Sequence, residues 1–170
     1  MYNDNMKKEI YLAGGCFWGV EAYYQLVDGI ITTNVGYANG NKANPTYEEV
    51  CSGIYKHTET VKIEYHSDKI TLEKILEHFL RFVNPYSINR QGNDIGIQYR
   101  SGVYFTSKDD ELIVKSYFNR VVGKTHKIEV LPLKNYYESE DYHQSYLIKN
   151  PSGYCHVNLN LVKQNEKKVR

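Results

Sequence analysis

Apolar positions along this 170-residue chain switch repeatedly between a spacing of two and a spacing of about 3.6, as strands and helices in alternation require. Residues 10–13 form a short apolar run that reads as a strand and gives way at Cys16 to a helical pattern reaching about Leu26. Asp28-Gly29 marks a turn, and residues 30–37 read as a second strand. A polar loop follows, after which Thr46 and Glu49 have the spacing of a capping box. That spacing predicts a short helix that carries Cys51 and stops near Gly53. Residues 58–65 alternate strictly, with Thr58, Thr60, Lys62 and Glu64 on one side and Glu59, Val61, Ile63 and Tyr65 on the other. Glu59 thus shares the apolar side of its strand.

The clearest helix is 71–83, where Leu72, Ile75, Leu76, Phe79, Leu80 and Val83 fall on one stripe before Asn84-Pro85 ends it. A long irregular segment, 84–100, precedes a strand at 102–106, and Ser107 with Asp110 opens a second amphipathic helix to about Val122. Residues 127–131 read as a strand and 140–149 as a further helix, and Asn150-Pro151-Ser152-Gly153 breaks into an irregular tail holding Cys155. The alternation, without internal repeats, predicts one α/β (α+β) domain of two layers with at least one parallel crossover. Its core is expected over residues 8–157. Residues 158–170, with Lys163, Lys167, Lys168 and Arg170 around Glu166, are expected to form a solvated charged tail.

Composition narrows the function. Lys and Arg total 21 against 20 Asp and Glu, so no electrostatic case for nucleic acid or a membrane surface exists. No stretch approaches the roughly 18 apolar residues of a membrane span. Residues 1–9 are polar and charged, and the apolar run that follows is short and leads into the cysteine motif rather than a cleavage site, which argues against a signal peptide. Three widely spaced cysteines cannot all pair within the chain and lack the close spacings of structural zinc sites, so no metal and a reducing compartment, the cytoplasm, are expected.

Gly14-Gly15-Cys16-Phe17-Trp18-Gly19 places a cysteine at a strand-to-helix junction. There the free N–H groups and positive dipole end of the helix favour thiolate, which makes Cys16 the leading nucleophile. Phe17 and Trp18 could wall a pocket for an apolar group. Glu59 has two readings: a desolvated carboxyl that holds a proton near neutral pH and gives it to a substrate oxygen, or an end-of-strand residue that curls out to water. Asp94 and Tyr99, in the polar loop 91–100, are orienting partners or parts of a loop satisfying its own backbone. Tyr47 opens the capped helix, but in a chain with 17 tyrosines packing competes with function. Cys155 lies where a mobile segment could bring a second thiol to resolve a sulfenic acid, and Cys51 reads as inert packing. His143 and His156 read as bases, ligands or hydrogen-bonded structural residues. Cys16 with His143 would suit a cysteine hydrolase or acyl transferase, whereas Cys51, Cys155 and His156 are poorly spaced for a metal module.

Taken together, Gly15-Cys16-Phe17-Trp18-Gly19, Asn44-Pro45-Thr46-Tyr47, Glu49-Val50-Cys51-Ser52-Gly53 and His57-Thr58-Glu59 resemble the peptide methionine sulfoxide reductases of the A type. The resemblance continues through Gln91 to Ser101, Tyr142-His143-Gln144 and Lys149 to Cys155, all in one consistent order. It implies a ferredoxin-like core with a mixed sheet flanked by helices, reducing the S epimer of methionine sulfoxide, free or in oxidised proteins. By the same resemblance Cys16 is the nucleophile, Phe17 and Trp18 hold the substrate methyl, and Glu59 is the acid. Tyr47, Asp94 and Tyr99 form the polar shell of the sulfoxide oxygen, and Cys155 resolves a Cys16 sulfenic acid to a Cys16–Cys155 disulfide. No cofactor is implied beyond an external reductant, thioredoxin, and a monomer is expected. Some relatives carry a further cysteine in a glycine-rich tail. Here His156-Val157-Asn158-Leu159 follows instead, which implies a two-cysteine cycle, and the Gly36-Tyr37-Ala38-Asn39-Gly40 loop is poorer in glycine than the family's.

Overall fold

The structure, a computed structural model, describes residues 6–169; the start of the polar N-terminal stretch, 1–5, and Arg170 of the basic cluster lie outside the described residues. In chain order come β1 (Lys7–Ala13), α1 (Phe17–Gln25), β2 (Ile30–Ala38), α2 (Tyr47–Cys51), β3 (Thr58–His66) and α3 (Leu72–Phe82). The second half holds β4 (Arg90–Gln91), β5 (Asp94–Ile95), β6 (Gly102–Phe105), α4 (Lys108–Val121), β7 (Glu129–Pro132), β8 (Tyr136–Glu138) and α5 (Tyr146–Lys149). Short 3-10 turns occupy Ile97–Tyr99, Asp141–His143, Leu159–Leu161 and Gln164–Glu166.

The main sheet runs β7-β6-β1-β3-β2-β8. Its pairs are antiparallel except β6 with β7, the parallel crossover the pattern predicts, made through α4. One face carries Ile10, Leu12, Val35, Val61, Ile63 and Val103, packed with Val20, Tyr23 and Tyr24 of α1, Ile75, Leu76 and Phe79 of α3, and Val114 and Phe118 of α4. Phe79 and Phe118 are fully buried, worth roughly 1.5–3 kcal/mol each. The opposite face buries a smaller cluster, Tyr11, Ala13, Ala38 and Tyr104.

The predicted helix starts hold. Thr71 accepts the Lys74 N–H at 3.1 Å and Ser107 the Asp110 N–H at 3.2 Å. Thr46 accepts the Glu49 N–H at 3.2 Å while the Glu49 carboxylate takes the Thr46 N–H at 3.1 Å. Among the described residues no helix is long and apolar enough to cross a membrane.

Three local expectations change. The helix read over 140–149 is split: a 3-10 turn at Asp141–His143 is followed by extended Gln144, left-handed Ser145 (φ 50°), and only then α5. The break follows from tertiary bonds that a continuous helix would forbid. Gln144 binds both the N–H (2.9 Å) and the carbonyl (2.8 Å) of Val35 in β2, and the Glu21 carboxylate takes the Ser145 N–H at 2.8 Å. The segment 84–100 contains the β4–β5 hairpin and the Ile97–Tyr99 turn. The charged tail does not float in solvent. Val162 is buried, and Glu166 meets Arg81 through both terminal guanidinium nitrogens (2.7 and 2.8 Å) and Lys74 at 3.1 Å. Asp28 N–H to Glu166 carbonyl (2.8 Å) and Lys168 N–H to Leu26 carbonyl (3.0 Å) complete a strap across the end of α1.

Candidate active site

The turn after β1 is built by glycine. Gly15 has φ +90°, and a Cβ there would come within 2.9 Å of both the Gln91 Cβ and His156 Nε2. Cys16 follows as the N-cap residue of α1, half inside the helix (φ −56°, ψ 123°). The N–H groups of Trp18 and Gly19 favour its thiolate, as its position predicts, but they do not prevail. Cys16 is only 7% exposed, and burial, reinforced by the nearby Glu59 carboxyl, raises its thiol well above the ordinary range. The expectation of a resting thiolate is therefore corrected: at neutral pH this sulfur carries its proton.

Glu59 is the second residue of β3, paired with Tyr37 of β2. It is 2% exposed and does not curl out to water. Its Oε1 accepts the backbone N–H of Phe17 at 3.2 Å, so the carboxyl stands beside the residue that follows Cys16. Burial pushes its pKa up to about 8, with the Phe17 N–H opposing the rise and Asp94 adding to it. Glu59 is thus a neutral acid at pH 7.

The aromatic groups converge on His143. Phe17 is buried between Tyr37 and His143, with ring centroids 5.8 and 5.2 Å away. Trp18 stacks on Tyr146 at 3.7 Å, and its indole N–H donates to His143 Nδ1 at 3.0 Å. The Tyr47 ring lies 4.7 Å from that imidazole. Glu140 ties the cluster together, accepting the Tyr47 N–H at 3.0 Å and the Tyr37 hydroxyl at 2.8 Å. Because Nδ1 of neutral His143 accepts from Trp18, its proton sits on Nε2, which is buried with no hydrogen-bond partner among the described residues. His143 is therefore committed to Trp18 and offers Cys16 no base, which removes the hydrolase arrangement.

Tyr99 lies in the Ile97–Tyr99 turn beside β3. Burial, with the Glu59 carboxyl adding, holds the Tyr99 phenol above its usual range, and Tyr47 is raised by burial, by Cys51 and by Glu59. Both remain O–H donors. Asp94 opens β5, accepts the Tyr154 hydroxyl at 3.1 Å and stands 3.8 Å from His156 Nδ1. Cys155 is half-buried and donates its S–H to the Val157 carbonyl at 3.1 Å. Its sulfur lies 3.2 Å from where a Cβ on Gly19 would project, against the first turn of the helix that Cys16 caps.

The structure thus brings Cys16, Phe17, Trp18, Glu59, Tyr47, Asp94, Tyr99 and Cys155 around one helix terminus, with all three cysteines free. Cys51 is exposed at the end of α2. No group of three or more His, Cys, Asp or Glu among the described residues is gathered as a metal ion would need. Sequence reasoning missed Tyr37, Glu140, Tyr146 and Tyr154. The tyrosines carried no signal among so many, and Glu140 reaches Tyr37 across 103 residues.

Comparison with known proteins agrees with this geometry. A model of the family described as peptide methionine sulfoxide reductase matches residues 8–170. The peptide methionine sulfoxide reductase MsrA of Clostridium botulinum (strain Loch Maree / Type A3) is 53% identical over 155 residues, covering 89% of this chain and 99% of the relative. Mxr1 from Saccharomyces cerevisiae in reduced form is similar in structure, with a TM-score of 0.81 and 38% identity over 91% of this chain and 92% of that one. Mxr1 in complex with Trx2 gives a TM-score of 0.57 and 27% identity over 86% and 88%. With a thiol, a buried acid and an aromatic cluster joined at one helix end, and a family match that spans them all, this chain belongs to the peptide methionine sulfoxide reductases of the MsrA type.

Proposed function

We propose that this oxidoreductase reduces the S epimer of methionine sulfoxide, free and in oxidised proteins, with Cys16 as nucleophile and Glu59 as acid. The observation that carries the reading is the 3.2 Å bond from the Phe17 N–H to Glu59 Oε1, which sets a protonated carboxyl beside the residue that follows the thiol. Cys16 sulfur attacks the sulfoxide sulfur as the oxygen takes the Glu59 proton and accepts hydrogen bonds from Tyr47 and Tyr99. The Cys16 proton passes to the Glu59 carboxylate; the hydroxyl then shifts from the substrate sulfur to the Cys16 sulfur as the new S–S bond breaks with its electron pair on the substrate sulfur, so methionine leaves reduced and Cys16 is left as a sulfenic acid. Phe17 and Trp18 receive the substrate methyl, and Asp94 orients the polar side.

Cys155 then attacks the sulfenic acid, giving a Cys16–Cys155 disulfide and water. Thioredoxin is the proposed reductant, supported by the likeness to Mxr1 bound to Trx2, and it reopens the disulfide by exchange. The cycle needs no cofactor, operates in a monomer, and suits the cytoplasm, where thiols stay reduced. The test incubates the protein with S- and R-methionine sulfoxide and dithiothreitol. Methionine from the S epimer is expected, and methionine from neither would end the reading.

A further inference from the structure

His156 occupies a position that the proposed reduction step leaves unused. Its imidazole is wedged between two glycines that flank Cys16: Nε2 lies 2.9 Å from where a Cβ on Gly15 would stand, and Nδ1 lies 3.1 Å from the corresponding point on Gly19. The side chain is 5% exposed. Nε2 lies 2.9 Å from the Gly14 carbonyl oxygen, which can only accept, so Nε2 carries the ring proton and Nδ1 is a bare lone pair. That lone pair is buried without a hydrogen-bond partner among the described residues. The point on Gly19 that Nδ1 faces is the same point that Cys155 Sγ approaches to 3.2 Å, so the two atoms share one small space on the first turn of α1.

Forming a disulfide from a thiol and a sulfenic acid needs a proton taken from one sulfur and a proton given to the departing oxygen. Cys155 is poorly prepared to ionise unaided, because burial raises its thiol. The Val157 carbonyl that receives its S–H can orient the proton but cannot keep it. Resting on the Cys16–Cys155 cycle above, we propose that His156 is the proton acceptor of the resolving step: Nδ1 takes the Cys155 proton as that sulfur bonds to oxidised Cys16. The S–O bond breaks with its electron pair on oxygen, and the imidazolium returns the proton to that hydroxide as water. Cys155 is oxidised, the sulfenic sulfur is reduced, and the imidazole ends as it began.

The surroundings favour this role. Burial holds His156 below the ordinary imidazole range, so the lone pair is available at neutral pH. Asp94 Oδ2, 3.8 Å from Nδ1, is placed to stabilise the imidazolium while it exists. Cys155 shares this space, and Tyr154 reaches it through its hydroxyl on Asp94.

The experiment mixes the full-length protein with one equivalent of methionine S-sulfoxide, without thioredoxin, and follows methionine release and thiol loss in the same quenched samples across pH. His156→Gln keeps a donor for the Gly14 carbonyl and has no base where Nδ1 was. The ratio of the disulfide-formation rate to the methionine-release rate is expected to fall roughly 10²-fold at pH 7. The deficit should shrink as pH rises and Cys155 ionises by itself. A wild-type ratio with a wild-type pH profile overturns the proposal and leaves His156 a packing residue. Should His156→Gln release no methionine because it fails to fold, His156→Asn is read by the same ratio and the same two outcomes. Failure of the underlying cycle looks different: the unmutated protein would then release no methionine, or release it without losing Cys16 and Cys155 thiols.

Discussion

Replacing Glu59 with glutamine should alter the pH dependence of stability as sharply as it alters chemistry. The carboxyl is 2% exposed and its pKa moves from 4.5 to about 8 on folding. Each pH unit of that interval is worth about 1.4 kcal/mol, so full ionisation of Glu59 costs the folded state about 5 kcal/mol. A carboxyl whose folded pKa is raised binds more protons in the native than in the unfolded chain. Its stabilising contribution is therefore complete below about pH 4.5 and is lost as pH climbs to about 8, beyond which the loss is constant. Glutamine does not titrate. In urea unfolding, the stability of Glu59→Gln relative to the unmutated protein should rise by about 1.4 kcal/mol per pH unit from about pH 4.5 to 8, then level off. Over the same range the variant should form methionine roughly 10²–10⁴-fold more slowly, the usual worth of a positioned acid. A stability difference that stays flat across this interval would refute the burial argument. A near-normal rate would remove Glu59 from the reaction.

Cys155→Ser is expected to release one methionine per protein and then stall with thioredoxin, whereas sustained turnover in a steady-state assay would show that another group resolves the sulfenic acid. Gly19→Ala adds a Cβ within 3.1–3.2 Å of His156 Nδ1, Val157 Cγ2 and Cys155 Sγ, so it should push the tail outward and slow disulfide formation more than methionine release in the same rapid-quench samples. Glu166→Gln removes the charge that receives both Arg81 nitrogens and should lower the urea midpoint by the equivalent of about 1–3 kcal/mol near neutral pH. Because Arg81 holds the Glu166 carboxyl well below its usual range, that stability is present above the ordinary carboxylate pKa and fades as pH falls through the lowered folded one, so the difference between variant and parent should shrink in acid.

What local chemistry decides was legible in the chain. Thr46 and Ser107 cap the helices that their spacing predicts, the apolar stripe of 71–83 forms α3, and strict alternation in 58–65 places Glu59 on the buried face of β3. What depends on distant partners was not legible. The helix pattern over 140–149 is sound locally, but Glu21 and Val35, more than 100 residues away, claim Ser145 and Gln144 and break it. The charged tail is held by Arg81, 85 residues before Glu166, through an ion pair that no pattern within the tail announces. The state of Cys16 shows the same limit. Its helix-end position is visible in the sequence, but the burial that raises its thiol, and the Glu59 carboxyl that adds to it from 43 residues away, are assembled by folding.

That burial looks adverse to a nucleophile, yet it is what makes the pair of groups useful. In an open site an ordinary carboxyl would already be ionised at pH 7, and Glu59 would have no proton to give. Burial lifts both Cys16 and Glu59, so the resting site keeps two protons, and ionising either group makes the other harder to ionise. A sulfoxide oxygen breaks this deadlock by accepting the Glu59 proton, after which the carboxylate can take the one on Cys16 as its sulfur bonds to the substrate. Cys16 and Glu59 together never carry more than one negative charge. Phe17→Ala tests this coupling, because it removes a fully buried ring at the residue that follows Cys16 and whose N–H holds Glu59, and so admits water beside both groups. Alkylation of Cys16 by iodoacetamide, mapped by mass spectrometry against Cys51 and Cys155, should then show a lower pH midpoint while methionine formation falls. An unchanged midpoint, or a faster reaction at neutral pH, would mean that thiolate supply rather than the sheltered acid limits the step.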